Sequence, residues 1–324
     1  MRYTIRKLTT MLITLLVVSF LVFSSFQLIA GDPATKLLGT EATELSLAAL
    51  RAELGLDAPF LIRYINWLTS FVKGDMGTSY SYNMSVSAMI ADKIPITLTL
   101  TLMSFAIIIL TAIPLGIYTA KTADRPIDRI IMTVNQIFMA VPPFFVGIIL
   151  TMIFGITFKL FIPGNYISYK ENIADFIAYL FFPALALAIP KAAMAVKLLR
   201  SSVLNEARLD YVRTAYSKGN STNNVLYRHV LKNAMIPLVT FLGMTLAEMI
   251  AGSIIIEKVF GIPGLGRILI NSISNRDYPV VMAIITLITF MVLVVNIIVD
   301  LVYGLIDPRI RVGEYRKNKR LLND

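Results

Sequence analysis

Long apolar stretches alternate with short polar ones along the whole chain. Apolar runs of about 20 residues or more lie near 8–29, 96–119, 130–157, 175–198, 236–256 and 279–304, each long enough as a helix to cross about 30 Å of hydrocarbon. Six transmembrane helices are therefore expected. The first run follows "MRYTIRK" and exceeds the ~7–15 apolar residues of a signal-peptide core, so an uncleaved first helix is expected.

Two polar intervals carry patterns of their own. In residues 30–95, "ELSLAALRAELG" reads as a helix ending at Gly55, a residue suited to the left-handed position after a helix. In "APFLIRYINWLTSFVKG", Leu61, Ile65, Leu68 and Val72 recur at helical spacing, but Arg63 and the run's shortness argue against a seventh span. Trp67, the single tryptophan, suits either a membrane interface or packing inside a small external cap. The second interval holds "VLNEARLDYVRTAYSK", a helix with Asp210 and Arg213 at i,i+3, which Gly219 is placed to stop. Asn220, Ser221 and Thr222 offer caps for a second helix, in which Leu226 with Val230 and Tyr227 with Leu231 form an apolar stripe. Asn223, Asn224, Arg228 and Lys232 make its polar side. Spacing alone leaves open whether this short helix rests on lipid headgroups or meets a protein partner.

Composition agrees with a chain dissolved in lipid. Of 324 residues 56% are hydrophobic and only 15% charged, with mean hydropathy +0.73; so little polar surface cannot cover a soluble fold of this size. There are no cysteines and a single histidine, His229, which removes disulfides, thiolate nucleophiles and histidine-built metal sites. No catalytic residue and no metal ligand is expected. The net charge of +10 matters less than its distribution, and nothing else points to nucleic acid. Arg2, Arg6 and Lys7, then Lys121, Arg125 and Arg129, the seven basic residues from Lys197 to Lys232 and the six from Arg309 to Arg320 fall on one side of a six-span topology, so both termini are expected in the cytoplasm. Lys191 is left near the inner end of the fourth span, where its stem is expected to snorkel. The expected organisation is a first transmembrane helix at 1–29, an extracellular helical segment at 30–95, a five-helix core at 96–304 with a cytoplasmic loop at 199–235, and a basic cytoplasmic tail at 305–324.

Inside the spans, Pro114, Pro142, Pro143, Pro183 and Pro190 each remove or strain a helical hydrogen bond. Pro114 and Pro190 are read as helix shaping; the adjacent pair Pro142 and Pro143 is the better candidate for lining a pathway. Glu248, in "GMTLAEMIAGSIII", is a carboxylate in an apolar span. It should face protein or water, either as a partner of another helix or as an acidic lining for a cationic substrate. After the fifth span "EKVFGIPGLGR" leaves the helical pattern, with Glu257 at its start and Pro263 between Gly261 and Gly264, which suits a turn-rich re-entrant piece.

In "DYVRTAYSKGNSTNNVLYRHVLKNAMIP" the chain resembles the cytoplasmic loop of binding-protein-dependent ABC importer permeases. Aligned on Gly219, Ala215 matches the last alanine of that family's EAA triplet, while Arg213 and Thr214 replace its other two residues. His229 takes the isoleucine position, Leu231 the leucine, and Lys232 the proline. "IAGDPA", "LGLDAPFLIRY", "GDMGTSY", "VPPFFVG", "EKVFGIPGLGR", "NRDYPVV" and "DLVYGLIDPR" resemble, in order, the dipeptide, oligopeptide and nickel branch. The resemblance implies an all-α, six-helix type I importer permease in a bacterial cell membrane. It would work beside a second homologous permease, two ATP-binding subunits that hold ATP and magnesium, and an extracellular solute-binding protein, and would bind no cofactor itself. It implies a coupling role for Ala215, Gly219, Ser221, Leu226, Arg228, His229 and Leu231. It also implies a pathway or gate role for Pro142, Pro143, Glu248, Glu257, Pro263 and Gly264, with a peptide or a nickel chelate as substrate. His229 is read as packing at the ATPase contact rather than binding metal.

Other classes find little in the chain. It carries no G-x-x-x-x-G-K-[ST] to bind nucleotide, and neither HExxH nor GxSxG. A proton-coupled secondary transporter with Glu248 as relay is the alternative, but that class predicts a second, related half, and no repeat is visible among six spans.

Overall fold

The computed structural model describes residues 2–29, 33–38, 43–53 and 55–306. The basic tail from 307 onward lies outside the described residues. Among those described, the chain is helical, with one isolated antiparallel bridge between Thr78 and Ser85.

In chain order the helices are α1 (Arg2–Ile29), α2 (Pro33–Leu38), α3 (Glu44–Glu53), α4 (Phe60–Val72), α5 (Val86–Ala91), α6 (Ile94–Lys121), α7 (Pro126–Ala140) and α8 (Pro143–Leu150), the last running into a π-helical segment, Thr151–Thr157. Then come α9 (Ile173–Glu206), α10 (Asp210–Ser217), α11 (Thr222–Asn224), a second π-helical segment Val225–Val230, α12 (Leu231–Phe260), α13 (Leu265–Ser274) and α14 (Tyr278–Ile306). Among the described residues, five helical stretches are long and apolar enough to cross a membrane, Lys7–Gln27, Val86–Lys121, Ile173–Glu206, Thr222–Phe260 and Tyr278–Val299, and the bent pair Pro126–Ala140 with Pro143–Thr157 makes a sixth if it counts as one span.

The apolar run at 130–157 is not one straight span. α7 and α8 meet at 105°, and the cause is local. Val141 and Pro142 each precede a proline, a position in which the proline ring disfavours the α conformation. Both residues are extended, at φ −90, ψ 125 and φ −62, ψ 144, and Pro143 then opens α8 at the first helical position, where its missing N–H costs nothing. By contrast α6 continues through Pro114, α9 through Pro183 and Pro190, and α12 through Pro237.

The chain divides into two compact units. One comprises Met1–Ile96 and Pro263–Met291, the other Thr97–Ile262 and Val292–Asp324. In the first, Phe23, Tyr64 and Met282 form a core with Phe26, Trp67 and Leu68 packed on it. Ser19 and Tyr64 share a hydrogen bond of 2.9 Å, and Arg63 donates to Gln27 Oε1 at 2.6 Å. Trp67 packs against Phe23 of α1 and Phe71 of α4, each at 5.6 Å between ring centroids. α4, with 13 residues, is too short to span. The same unit holds a loop latch: Asp277, fully buried just before α14, accepts from Ser79 Oγ at 2.5 Å and from the backbone N–H groups of Tyr80 and Ser81 at 3.0 and 3.3 Å. Burial, reinforced by the Asp277 charge, pushes the Tyr80 phenol up to about 12.

In the second unit α9 runs antiparallel to both α7 and α12. Asp128 takes both Arg200 Nε at 2.8 Å and Nη2 at 2.6 Å, while Asn135 Nδ2 donates to the Ala193 carbonyl at 2.5 Å. Gly116 lies against Leu199, and Gly243 against Val299, each so close that a Cβ would clash. Small residues here allow close helix approach in place of a hydrophobic driving force.

Candidate functional site

Three pairs fix how α9 and α12 lie together. Tyr179 OH donates to the Phe260 carbonyl at 2.5 Å, Lys191 Nζ to Glu248 Oε2 at 2.5 Å, and Asn233 Nδ2 to Glu206 Oε1 at 3.0 Å. From the first pair to the second is 12 residues along either helix, and from the second to the third is 15, so the register holds from end to end. At 1.5 Å per residue, the charged pair lies about 18 Å from one end of this interface and about 22 Å from the other. Lys191 is therefore mid-helix and bound to Glu248, rather than snorkelling near an inner end. The partner reading of Glu248 describes what the structure holds. The pair is not sealed, with side-chain exposures of 26% for Lys191 and 58% for Glu248.

Glu257, nine residues on, has a different setting. It is fully buried and still inside α12, rather than at the start of an irregular piece. Thr97 Oγ1 donates to its Oε1 at 2.6 Å, and Ser253 Oγ lies at 3.5 Å. α12 ends three residues later in a left-handed Gly261 (φ 70), with the Ile262 N–H bonded to the Glu257 carbonyl at 2.8 Å. That bond is the signature of a glycine helix stop. The irregular stretch is thus brief: Gly264 already occupies the position before α13, and Leu265 begins that helix. Pro263 and Gly264 belong to the first unit and Glu257 to the second.

The polar interval between the fourth and fifth runs folds as a helix, a glycine turn and a second helix. α10 buries Val212 and Ala215 and exposes Arg213, Thr214, Tyr216 and Ser217. Gly219 is left-handed (φ 80) with open space where a Cβ would stand. Asn220 Nδ2 donates back to the Ala215 carbonyl at 3.0 Å, and Ser221 Oγ accepts from the Asn224 N–H at 3.4 Å, capping the next helix.

That next helix differs from the expected short amphipathic piece. It passes through the π-helical segment straight into α12, making one stretch from Thr222 to Phe260. In a π-helix the bonded spacing is five residues, and the buried residues are Val225 and Val230, five apart. Leu226 and Leu231 are half-buried and Tyr227 is exposed, so the i,i+4 stripe is only partly realised. Arg228 and Lys232 are exposed, and His229 is half-buried, its carbonyl oxygen 3.4 Å from Tyr211 OH.

Side chains tie this loop to the bundle. Tyr211 OH donates to Glu206 Oε1 at 2.6 Å and accepts from Asn233 Nδ2 at 3.1 Å, which joins α9, α10 and α12 in one cluster. Burial and the Glu206 carboxylate raise the phenol's pKa, so Tyr211 remains a donor throughout the neutral range. Lys121, at the end of α6, donates to Asn223 Oδ1 and Tyr227 OH at 3.1 and 3.2 Å and sits over the Tyr227 ring at 4.6 Å.

The structure thus brings Ala215, Gly219 and Ser221 into one turn, pairs Glu248 with Lys191, and sets Pro142 and Pro143 at the α7–α8 bend. Sequence reasoning missed Asp128 with Arg200, Asp277 with residues 79–81, and the Glu206–Tyr211–Asn233 cluster. Asp128 carried a signal, since an acid two residues after a proline at a helix start suits the free N–H groups there. Its carboxylate accepts the Asp124 N–H at 3.1 Å. Asp277 with residues 79–81, and Asn233 with Glu206 and Tyr211, join residues distant in sequence and left no local pattern.

Residues 112–312 match the family described as binding-protein-dependent transport system inner membrane component, and residues 1–101 match its N-terminal membrane component. The chain is 33% identical over 309 residues to a probable peptide ABC transporter permease protein, y4tP, of Sinorhizobium fredii, covering 95% of this chain and 99% of that one. It is 37% identical over 317 residues to a putative peptide permease protein of Brucella suis, at 96% and 99% coverage. It is 34% identical over 311 residues to the oligopeptide transport system permease protein AppB of Bacillus subtilis, at 95% and 98%. An all-helical chain matched over nearly its full length, with membrane-crossing helices and a capped glycine turn between two of them, belongs to the ABC importer permeases of the binding-protein-dependent transport system inner membrane component family.

Proposed function

We propose that this chain is one of two homologous, non-identical permease subunits that surround the pathway of an ATP-driven peptide importer, with both termini in the cytoplasm of a bacterial cell. The observation that carries the coupling role is the turn at Gly219. There a short helix exposes Arg213, Thr214 and Tyr216 while its base is clamped to α9 and α12 by Glu206, Tyr211 and Asn233. A lever built this way passes a push on α10 to two membrane helices at once. Two separate ATPase subunits, holding ATP and magnesium, would press on this turn, with Ala215, Ser221, Leu226, Arg228, His229 and Leu231 shaping or lining the contact. A binding protein would deliver substrate from outside, and Glu257, Pro263 and Gly264 would belong to the outer gate, with Pro142 and Pro143 on the pathway.

The peptide reading is supported by the three relatives, each of which is named as a peptide permease. It is also supported by Lys191, which offsets the charge that an acidic lining for a metal chelate would need. A proton relay at Glu248 is disfavoured for the same reason: the carboxylate already has a cationic partner.

The test is ATP-dependent uptake by proteoliposomes holding the full complex and its binding protein. Labelled short peptides should enter and a labelled nickel chelate should not; nickel entry without peptide entry would refute the peptide assignment. Gly219→Pro, which cannot adopt φ 80, and Arg228→Glu should leave ATP hydrolysis running while uptake falls. Normal uptake in both variants would remove the coupling role.

A further inference from the structure

Glu248 lies on an uncovered stripe of α12. Met244, Glu248, Ala251, Gly252 and Ile255 are exposed, while Thr245, Ala247, Met249, Ile250 and Ser253 are buried. A Cβ added at Gly252, one turn from Glu248, would meet nothing within 4 Å. The stripe therefore has room beside the carboxylate. A charge at this depth, more than half exposed, is costly against lipid and is retained where it faces water or another protein surface. Lys191 at 2.5 Å reduces the carboxylate to one end of a dipole without covering it.

Resting on the peptide-importer reading, we infer that Lys191 and Glu248 form a charge-compensated element of the pathway wall, in which Lys191 cancels the charge selectivity Glu248 alone would impose. A lone carboxylate in a low-dielectric channel attracts cationic peptides and repels anionic ones. Paired with an ammonium, it presents a field that falls off within a few ångströms, so peptides of either net charge pass. Each end of the pair still offers hydrogen-bonding capacity to the termini of a zwitterionic peptide. Lys191 is in this sense a specificity-determining residue whose effect is breadth.

The experiment uses the complete complex in proteoliposomes, one binding protein throughout, and three labelled tripeptides: trialanine, Ala-Lys-Ala and Ala-Glu-Ala. Relative to the unmodified protein, Lys191→Met should raise the ratio of cationic to anionic uptake by about tenfold, and Glu248→Gln should lower it by a similar factor. The swap Lys191→Glu/Glu248→Lys should restore the original ratio, and Lys191→Met/Glu248→Met should leave it unchanged. Where Lys191→Met fails to assemble, the milder Lys191→Gln, which keeps a donor toward Glu248 without the charge, should raise the ratio in the same direction, and an unchanged ratio there overturns the inference. Parallel loss of all three peptides, as for a pair that only holds helices or subunits together, overturns the inference, and so does an unchanged ratio in both single variants. If the unmodified complex moves none of the tripeptides but carries the nickel chelate, the peptide reading has failed, and this inference falls with it; that outcome is read before any variant is made.

Discussion

Lys191 and Glu248 meet at 2.5 Å near the middle of two antiparallel membrane helices. Removing one partner leaves a charge at membrane depth, whereas removing both leaves none. Lys191→Met and Glu248→Met should each melt lower than the double variant in detergent, with a coupling of about 1 kcal/mol, since the pair is only partly buried. A double variant that melts below both singles would contradict the pairing.

Asp128 and Arg200 form the stronger link, with two nearly parallel hydrogen bonds and an Asp128 side chain only 3% exposed. Asp128→Asn should cost about 3 kcal/mol because it leaves a guanidinium without its counter-charge. Arg200→Lys should rescue little, because an ammonium cannot reproduce the two-pronged geometry. Thermal melting of the purified variants checks both; a Lys variant as stable as the original protein would show that charge alone suffices.

Gly243 faces Val299 with no room for a Cβ. Gly243→Ala should destabilise by about 1–3 kcal/mol through overpacking, and Val299→Ala in the same chain should recover most of the loss. Failure of that compensation, measured by melting, would place the strain elsewhere.

Asp277 gathers Ser79, Tyr80 and Ser81. In Asp277→Ala the Tyr80 and Ser81 N–H groups lose their acceptor, so hydrogen exchange across 79–82 should speed up by at least about tenfold while α9 and α12 keep their protection. Unchanged exchange in that loop would mean the latch is not what orders it.

What the sequence determined by itself was the solvent and the local punctuation. Apolar runs of spanning length, basic residues gathered at alternate ends, Gly55 and Gly219 as left-handed stops and Ser221 as a cap all act within a few residues of themselves. The bend at Pro142 and Pro143 was also encoded locally, although hydropathy averaged over 130–157 hid it, because an apolar run is silent about its path. Tertiary structure alone decided the partners. Lys191 and Glu248 are 57 residues apart, Asp128 and Arg200 72, and Ser79 and Asp277 198; no periodicity links such positions. Whether a membrane carboxylate is a bare lining or half of an ion pair depends on the register between two helices. That register is set by close packing and by hydrogen bonds at both ends of the interface, neither of which is written in either helix alone.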